Sequence, residues 1–203
     1  MKNVCLIAVL TVFAMSYSFA QDDQEGSSSS QGVNFGVKAG VNFASLTGDD
    51  TDDLDGRTSF HAGGAVNIPI SELFAFQPEV IYSAQGFTLS EEEEGMDIEI
   101  TGKLDYINVP ILADFTLAEG FSLQAGPQVG FNITKEFEAD GFSEEIPDVE
   151  SVIFDAAVGA QYRLPLGLFF QARYVFGISN ASSADDTDAK NSVASVSAGW
   201  FFN

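Results

Sequence analysis

The chain has 203 residues, 45% of them hydrophobic, and carries 30 acidic against 8 basic side chains, a formal charge of −22. Such a charge argues against attraction to nucleic acid or to an anionic membrane surface, and the length suits a single domain. Lys2 and the apolar run VCLIAVLTVFAM (Val4–Met15), too short to span a bilayer, lead into a small-residue cleavage site, SFA (Ser18–Ala20). Residues 1–20 therefore read as a secretory signal. Cys5 falls inside it, which leaves a mature chain from Gln21 with no cysteine and no disulfide in an oxidising compartment. Residues 21–31, QDDQEGSSSSQ, read as a disordered polar tether.

From Gly32 the sequence GVNFGVKAGVNF alternates. Val33, Phe35, Val37, Ala39, Val41 and Phe43 take one set of positions, and Asn34, Gly36, Lys38, Gly40 and Asn42 the other. A period of two sends the sets to opposite faces of a strand. Seven similar runs follow, near 58–70, 73–87, 103–116, 121–133, 151–163, 168–178 and 192–203, and no helical period of similar length competes. No run approaches the ~18 consecutive apolar residues of a membrane-spanning helix. Short connections at Ser71–Glu72, Leu117–Gly120 and Leu164–Gly167 alternate with long ones at 47–57, 87–102, 134–150 and 179–191. Short turns at one end and long loops at the other predict an all-β fold over 32–203, an eight-stranded antiparallel up-and-down transmembrane β-barrel. The long loops hold 21 of the 30 acids against Arg57, Lys135 and Lys190.

A soluble barrel of lipocalin type, carrying apolar ligands in a periplasm, would alternate in the same way with its faces reversed. The non-apolar face separates the two. It carries Gly36, Gly40, Gly63, Gly126, Gly130, Gly159, Gly177 and Gly199, with Lys38, His61, Glu79, Asp105, Asp155, Arg163 and Arg173. Glycines weaken a water-facing strand but suit the crowded interior of an eight-stranded barrel. Lys38, Arg163 and Arg173 are expected to pair there with some of Glu79, Asp105 and Asp155, a polar network filling the lumen. Aromatics near the strand ends, among them Phe60, Phe74, Tyr82, Phe121, Tyr162, Trp200 and Phe202, fit interfacial girdles. Pro78, Pro110 and Pro127 lie inside strands with no free edge, so bulges are expected beside them.

The stretches FQPEVIYSAQG (Phe76–Gly86), LDYINVPILADF (Leu104–Phe115) and LQAGPQVGF (Leu123–Phe131) resemble the central strands of the PorT-like outer-membrane β-barrel domain family, prolines included. The resemblance implies a Gram-negative outer membrane, and for some family members assistance to a secretion system. The expected partners are outer-membrane lipid and other envelope or secretion proteins.

The same faces carry few candidates for chemistry. His61 is the sole histidine, and its neighbours Ser59 and Gly63 form no nucleophile motif, so it reads as a lumen histidine. Glu79 with Arg173 reads as an ion pair before an acid and its activator. GDDTDDLDG (Gly48–Gly56) lacks the spacing and closing Glu of a calcium loop. No Cys/His cluster and no phosphate loop is present, so neither catalysis nor a cofactor is expected. Carboxylates of neighbouring loops could share divalent cations, but no loop supplies a ligand set alone, and a solvated acidic rim is the simpler expectation.

Overall fold

Strands built from alternating β-formers leave their edge amides unsatisfied unless the sheet closes, and this sheet does. The computed structural model describes residues 32–48, 55–93, 96–139, 142–146, 149–182 and 189–202. The signal, the tether and the acids at 49–53, 94, 140, 148 and 185–188 lie outside these residues. Within them every regular element is a strand. These are β1 (Asn34–Thr47), β2 (Asp55–Pro69), β3 (Phe74–Glu93), β4 (Met96–Ala118), β5 (Phe121–Ala139), β6 (Phe142–Glu145), β7 (Val152–Arg163), β8 (Leu168–Gly177) and β9 (Lys190–Phe202). Eight of them run antiparallel in the order β4-β3-β2-β1-β9-β8-β7-β5, and the pairing of β4 with β5 closes the barrel. The ninth, β6, pairs with β5 over Glu136–Ala139, beyond Phe131, where the β7 pairing stops. It covers an edge that would otherwise be open.

The short connections are tight. Ile70 and Ser71 both donate to the Phe74 carbonyl, at 2.9 and 3.0 Å. The β4–β5 and β7–β8 turns close on Gly120 and Gly167, whose φ of 75° and 90° suits residues without a Cβ. One expected long loop, 87–102, continues the β3–β4 hairpin instead, with ladder pairs out to Glu93↔Met96. Glutamates are poor strand formers, and here the pairing of the flanking strands carries them along.

The two faces separate as the alternation requires. On β1, Phe35, Val37, Val41 and Phe43 are exposed outward, while Gly36, Lys38, Asn42 and Ala44 are buried. The large apolar side chains Phe60, Leu123, Phe131, Phe154, Phe170, Tyr174 and Val196 also face outward, and Gln77, Glu79, Gln124, Gln128, Gln161 and Gln171 face in. This is the reverse of a lipocalin-type carrier, so that alternative is set aside.

The prolines behave otherwise than expected. The register shifts lie at Gly56/His61, Asp105/Tyr106 and Thr116/Ala118. Pro78 pairs with Ile111 and Pro110 with Gln128, and the ladders beyond resume in the same register at Ile81↔Asn108 and Ala113↔Ala125. Pro127 sits opposite Ala156 in an unbroken run. In an antiparallel ladder each N–H serves one neighbour, so each proline costs one bond and no shift is needed. The inward glycines mark close strand approaches: a Cβ on Gly40 would strike the Val196 carbonyl, and one on Gly126 the Ile111 carbonyl.

Candidate functional site

Among the described residues, charged side chains meet inside the lumen, away from the rims. Lys38 on β1, Glu79 on β3 and Arg173 on β8 project inward at mid-barrel, each at least nine-tenths buried. Arg173 grips Glu79 bidentately, Nη1 to Oε2 and Nη2 to Oε1, both at 2.8 Å. Lys38 Nζ lies 2.8 Å from Glu79 Oε2. Two cations therefore share one carboxylate, held by charge-assisted bonds of the strong bidentate type. Amides extend the set. Lys38 Nζ donates to Gln171 Oε1 at 2.7 Å, and Gln171 donates to Gln124 Oε1 at 2.6 Å. Gln124 in turn donates to Asp114 Oδ2 at 2.6 Å, and Gln77 donates to Glu79 Oε1 at 2.8 Å.

The other expected members stand apart. Asp155 is buried and accepts from Gln128 at 2.9 Å, with no cation paired to it among the described residues. Arg163 stacks its guanidinium 4.1 Å from the centre of the Phe201 ring, a cation–π contact instead of an ion pair. Asp105 is a correction: it faces outward. Leu104 and Tyr106 on either side of it are buried inside, while Asp105 accepts from the outward Tyr82 hydroxyl at 2.7 Å and lies 3.9 Å from Arg57. Counting back by twos from the inward Asp114 reaches Tyr106 and Leu104, never Asp105. Parity along β4 held the answer, and the charge of Asp105 obscured it.

A second network lies nearer the long-loop end. His61 Nδ1 meets Asn42 Oδ1 at 2.8 Å, and His61 Nε2 meets the Ser197 hydroxyl at 2.7 Å. Asn42 directs its amide to the Ala84 carbonyl at 2.9 Å and to Ser83 Oγ at 3.0 Å, so its oxygen faces the ring. The proton then sits on Nδ1, and Nε2 accepts from Ser197. The sequence neighbours Ser59 and Gly63 form no such pair with His61; the serine it meets is 136 positions away. The strand period places Asn42 and Ser197 inward, but nothing in the period says which inward residues meet across the lumen. This is the hydrogen-bond pattern of a Ser–His–Asn relay. Ser197 is nevertheless buried, and its strand is laddered to β1 and β8 on both sides. A serine held between two ladders in this way is poorly placed to meet a substrate or a pair of oxyanion-binding amides.

Apolar plugs bound these networks. Toward the long loops, Phe87, Leu104, Tyr106 and Ile153 pack together with Leu46, Phe137, Ile146 and Val149 against them. Phe137 points inward because of the bulge at Asp105/Tyr106, past which Gly102 opposes it. Toward the short turns, Phe169 stacks on Phe201 at 4.6 Å, with Ala65 beside them. The sequence reading, which made the inner face uniformly small or polar, missed both. Adjacent aromatics such as Phe169–Phe170 and Phe201–Phe202 put one ring on each face.

A closed antiparallel barrel, apolar outside and polar within, defines an integral outer-membrane protein of β-barrel type. The chain belongs to the outer membrane protein beta-barrel domain family, whose sequence profile matches residues 19–183. The PorT-like resemblance is a narrower assignment than this match carries. Among solved structures, the fold is similar to Neisserial surface protein A (NspA), with a TM-score of 0.60 and 14% identity over 85% of this chain and all of that one. It is also similar to Ail, the attachment invasion locus protein of Yersinia pestis, with a TM-score of 0.52 and 19% identity over 83% of this chain and 98% of that one. At such identities the likeness concerns the fold alone. No curated protein matches the chain.

Proposed function

We propose that this is a non-enzymatic outer-membrane barrel whose lumen is filled and closed, so that its task is structural or interactive and is carried by its acidic long loops. The observation that carries this reading is the Glu79-centred network lying between two apolar plugs. That arrangement supports a filled lumen, and a conducting porin uses about sixteen strands. A place beside an export assembly, the role of some PorT-like members, would be exercised through the same loops. The reading includes cleavage of the signal after Ala20.

The absence of catalysis is tested at the Ser197–His61 pair. A fluorophosphonate probe should leave Ser197 unmodified after prolonged incubation of the folded protein, as judged by peptide mass spectrometry. An adduct on Ser197 that disappears in His61→Ala would make the barrel a serine hydrolase. The loops provide a second test. With 21 acids against three cations they repel one another over roughly a Debye length, about 8 Å at physiological ionic strength. Millimolar Ca²⁺ should protect them from proteolysis no better than Na⁺ at matched ionic strength. Protection specific to Ca²⁺ would show shared divalent sites.

A further inference from the structure

Four of the five most exposed large apolar side chains among the described residues sit on or beside the three short turns: Leu166 (77%), Leu73 (67%), Ile70 (64%) and Leu117 (62%). A hairpin tip gains nothing from such side chains in water, and turn chemistry does not call for them. The backbone there is prepared for a medium that offers no hydrogen bonds. Leu164 donates to the Leu168 carbonyl at 2.7 Å and Gly167 to the Leu164 carbonyl at 2.9 Å. Between turns, Thr116 donates to Leu73 at 2.9 Å and Arg163 to Gly120 at 2.7 Å. Satisfied polar groups are what burial in lipid requires. Two acids, Glu72 and Glu119, are exposed in the same turns.

We propose that these four side chains form an apolar collar that seats the short-turn end of the barrel in the inner leaflet of the outer membrane, with phospholipid as its occupant. Glu72 and Glu119 mark the water line. The inference rests on the outer-membrane reading and extends it. Two features select lipid over a protein partner. The collar continues the outward apolar band: Leu117 lies two residues beyond the exposed Phe115, and Leu73 precedes Phe74, which pairs with Phe115. It is also spread around the rim, since the turns join β2 to β3, β4 to β5 and β7 to β8, at separate places in the sheet order. A fluid surrounds such a ring, whereas a docked protein covers one side.

Cys5 is the sole cysteine, so in a Cys5→Ser background single cysteines can report accessibility. Leu73→Cys, Leu166→Cys, Glu119→Cys and Val37→Cys, the last on the outward apolar band, would be refolded into phosphatidylcholine nanodiscs, which are open to solvent on both sides. Each would be treated with a membrane-impermeant maleimide. Leu73→Cys and Leu166→Cys should react about tenfold more slowly than Glu119→Cys, the behaviour of groups buried at the acyl boundary. Equal rates at 73, 166 and 119, with Val37→Cys still protected, would put the collar in water and overturn the proposal. Rapid labelling of Val37→Cys would instead overturn the membrane reading beneath it. Unsubstituted protein gives a second readout, because Trp200 is the one tryptophan and packs near the Gly167 turn. Lipids brominated on the acyl chains should quench it more than headgroup-labelled lipids, and the opposite order would also reject the collar.

Discussion

Replacing Glu79 with Gln should lower the free energy of unfolding by about 3–5 kcal/mol, because it leaves two buried cations without their counter-charge. Lys38 and Arg173 both bond the same carboxylate, and all three side chains are nearly inaccessible. Urea titration of the protein refolded in detergent micelles would measure the loss. Adding Lys38→Met to the Glu79→Gln chain should recover part of it, since one of the two stranded charges is then gone. A loss below about 1 kcal/mol, the value of a solvent-exposed ion pair, would mean that water reaches the pair and that the lumen is open.

The second large effect belongs to the outer face. Val37→Arg, on the outward apolar band of β1, should cost about 2–4 kcal/mol in a bilayer, and Phe131→Arg, closer to the long-loop end of β5, less, because the penalty falls toward the interface. Asn34→Ser, on the inner face at the short-turn end of β1, should be close to neutral. Equal penalties at Val37 and Asn34, read from bilayer unfolding titrations, would contradict the assignment of faces. Gln124 would not serve as a neutral inner control. It bonds Asp114, Gln171 and Arg173, so truncating it should disturb the whole network.

Most of the fold was legible because the barrel rests on one repeated rule. Alternation located all eight membrane strands, and the contrast between short and long connections gave their order without any tertiary information. The errors arose where a second rule intervened. The stretch 87–102, expected as a long connection, is a hairpin, because pairing between β3 and β4 overrides the low strand preference of its glutamates. The prolines suggested bulges, whereas one missing N–H per proline is absorbed without a shift. Within the lumen the sequence could give inward parity but not contact. It could not show that Glu79 takes both Lys38 and Arg173, that Arg163 would lie over Phe201, or that His61 would find Ser197. Those choices depend on side-chain reach across a barrel whose curvature is a property of the closed sheet. Asp105 differs, because its outward position followed from parity and was lost by letting charge outweigh it.

The closed lumen is tested most directly by electrical recording. Protein refolded from the full chain and inserted singly into planar bilayers should give no steady conductance across a wide range of voltages, because Phe87, Leu104 and Tyr106 close one end and Phe169 and Phe201 the other. Sustained, uniform conductance steps from the unsubstituted protein would show a continuous aqueous path through the barrel and contradict the account.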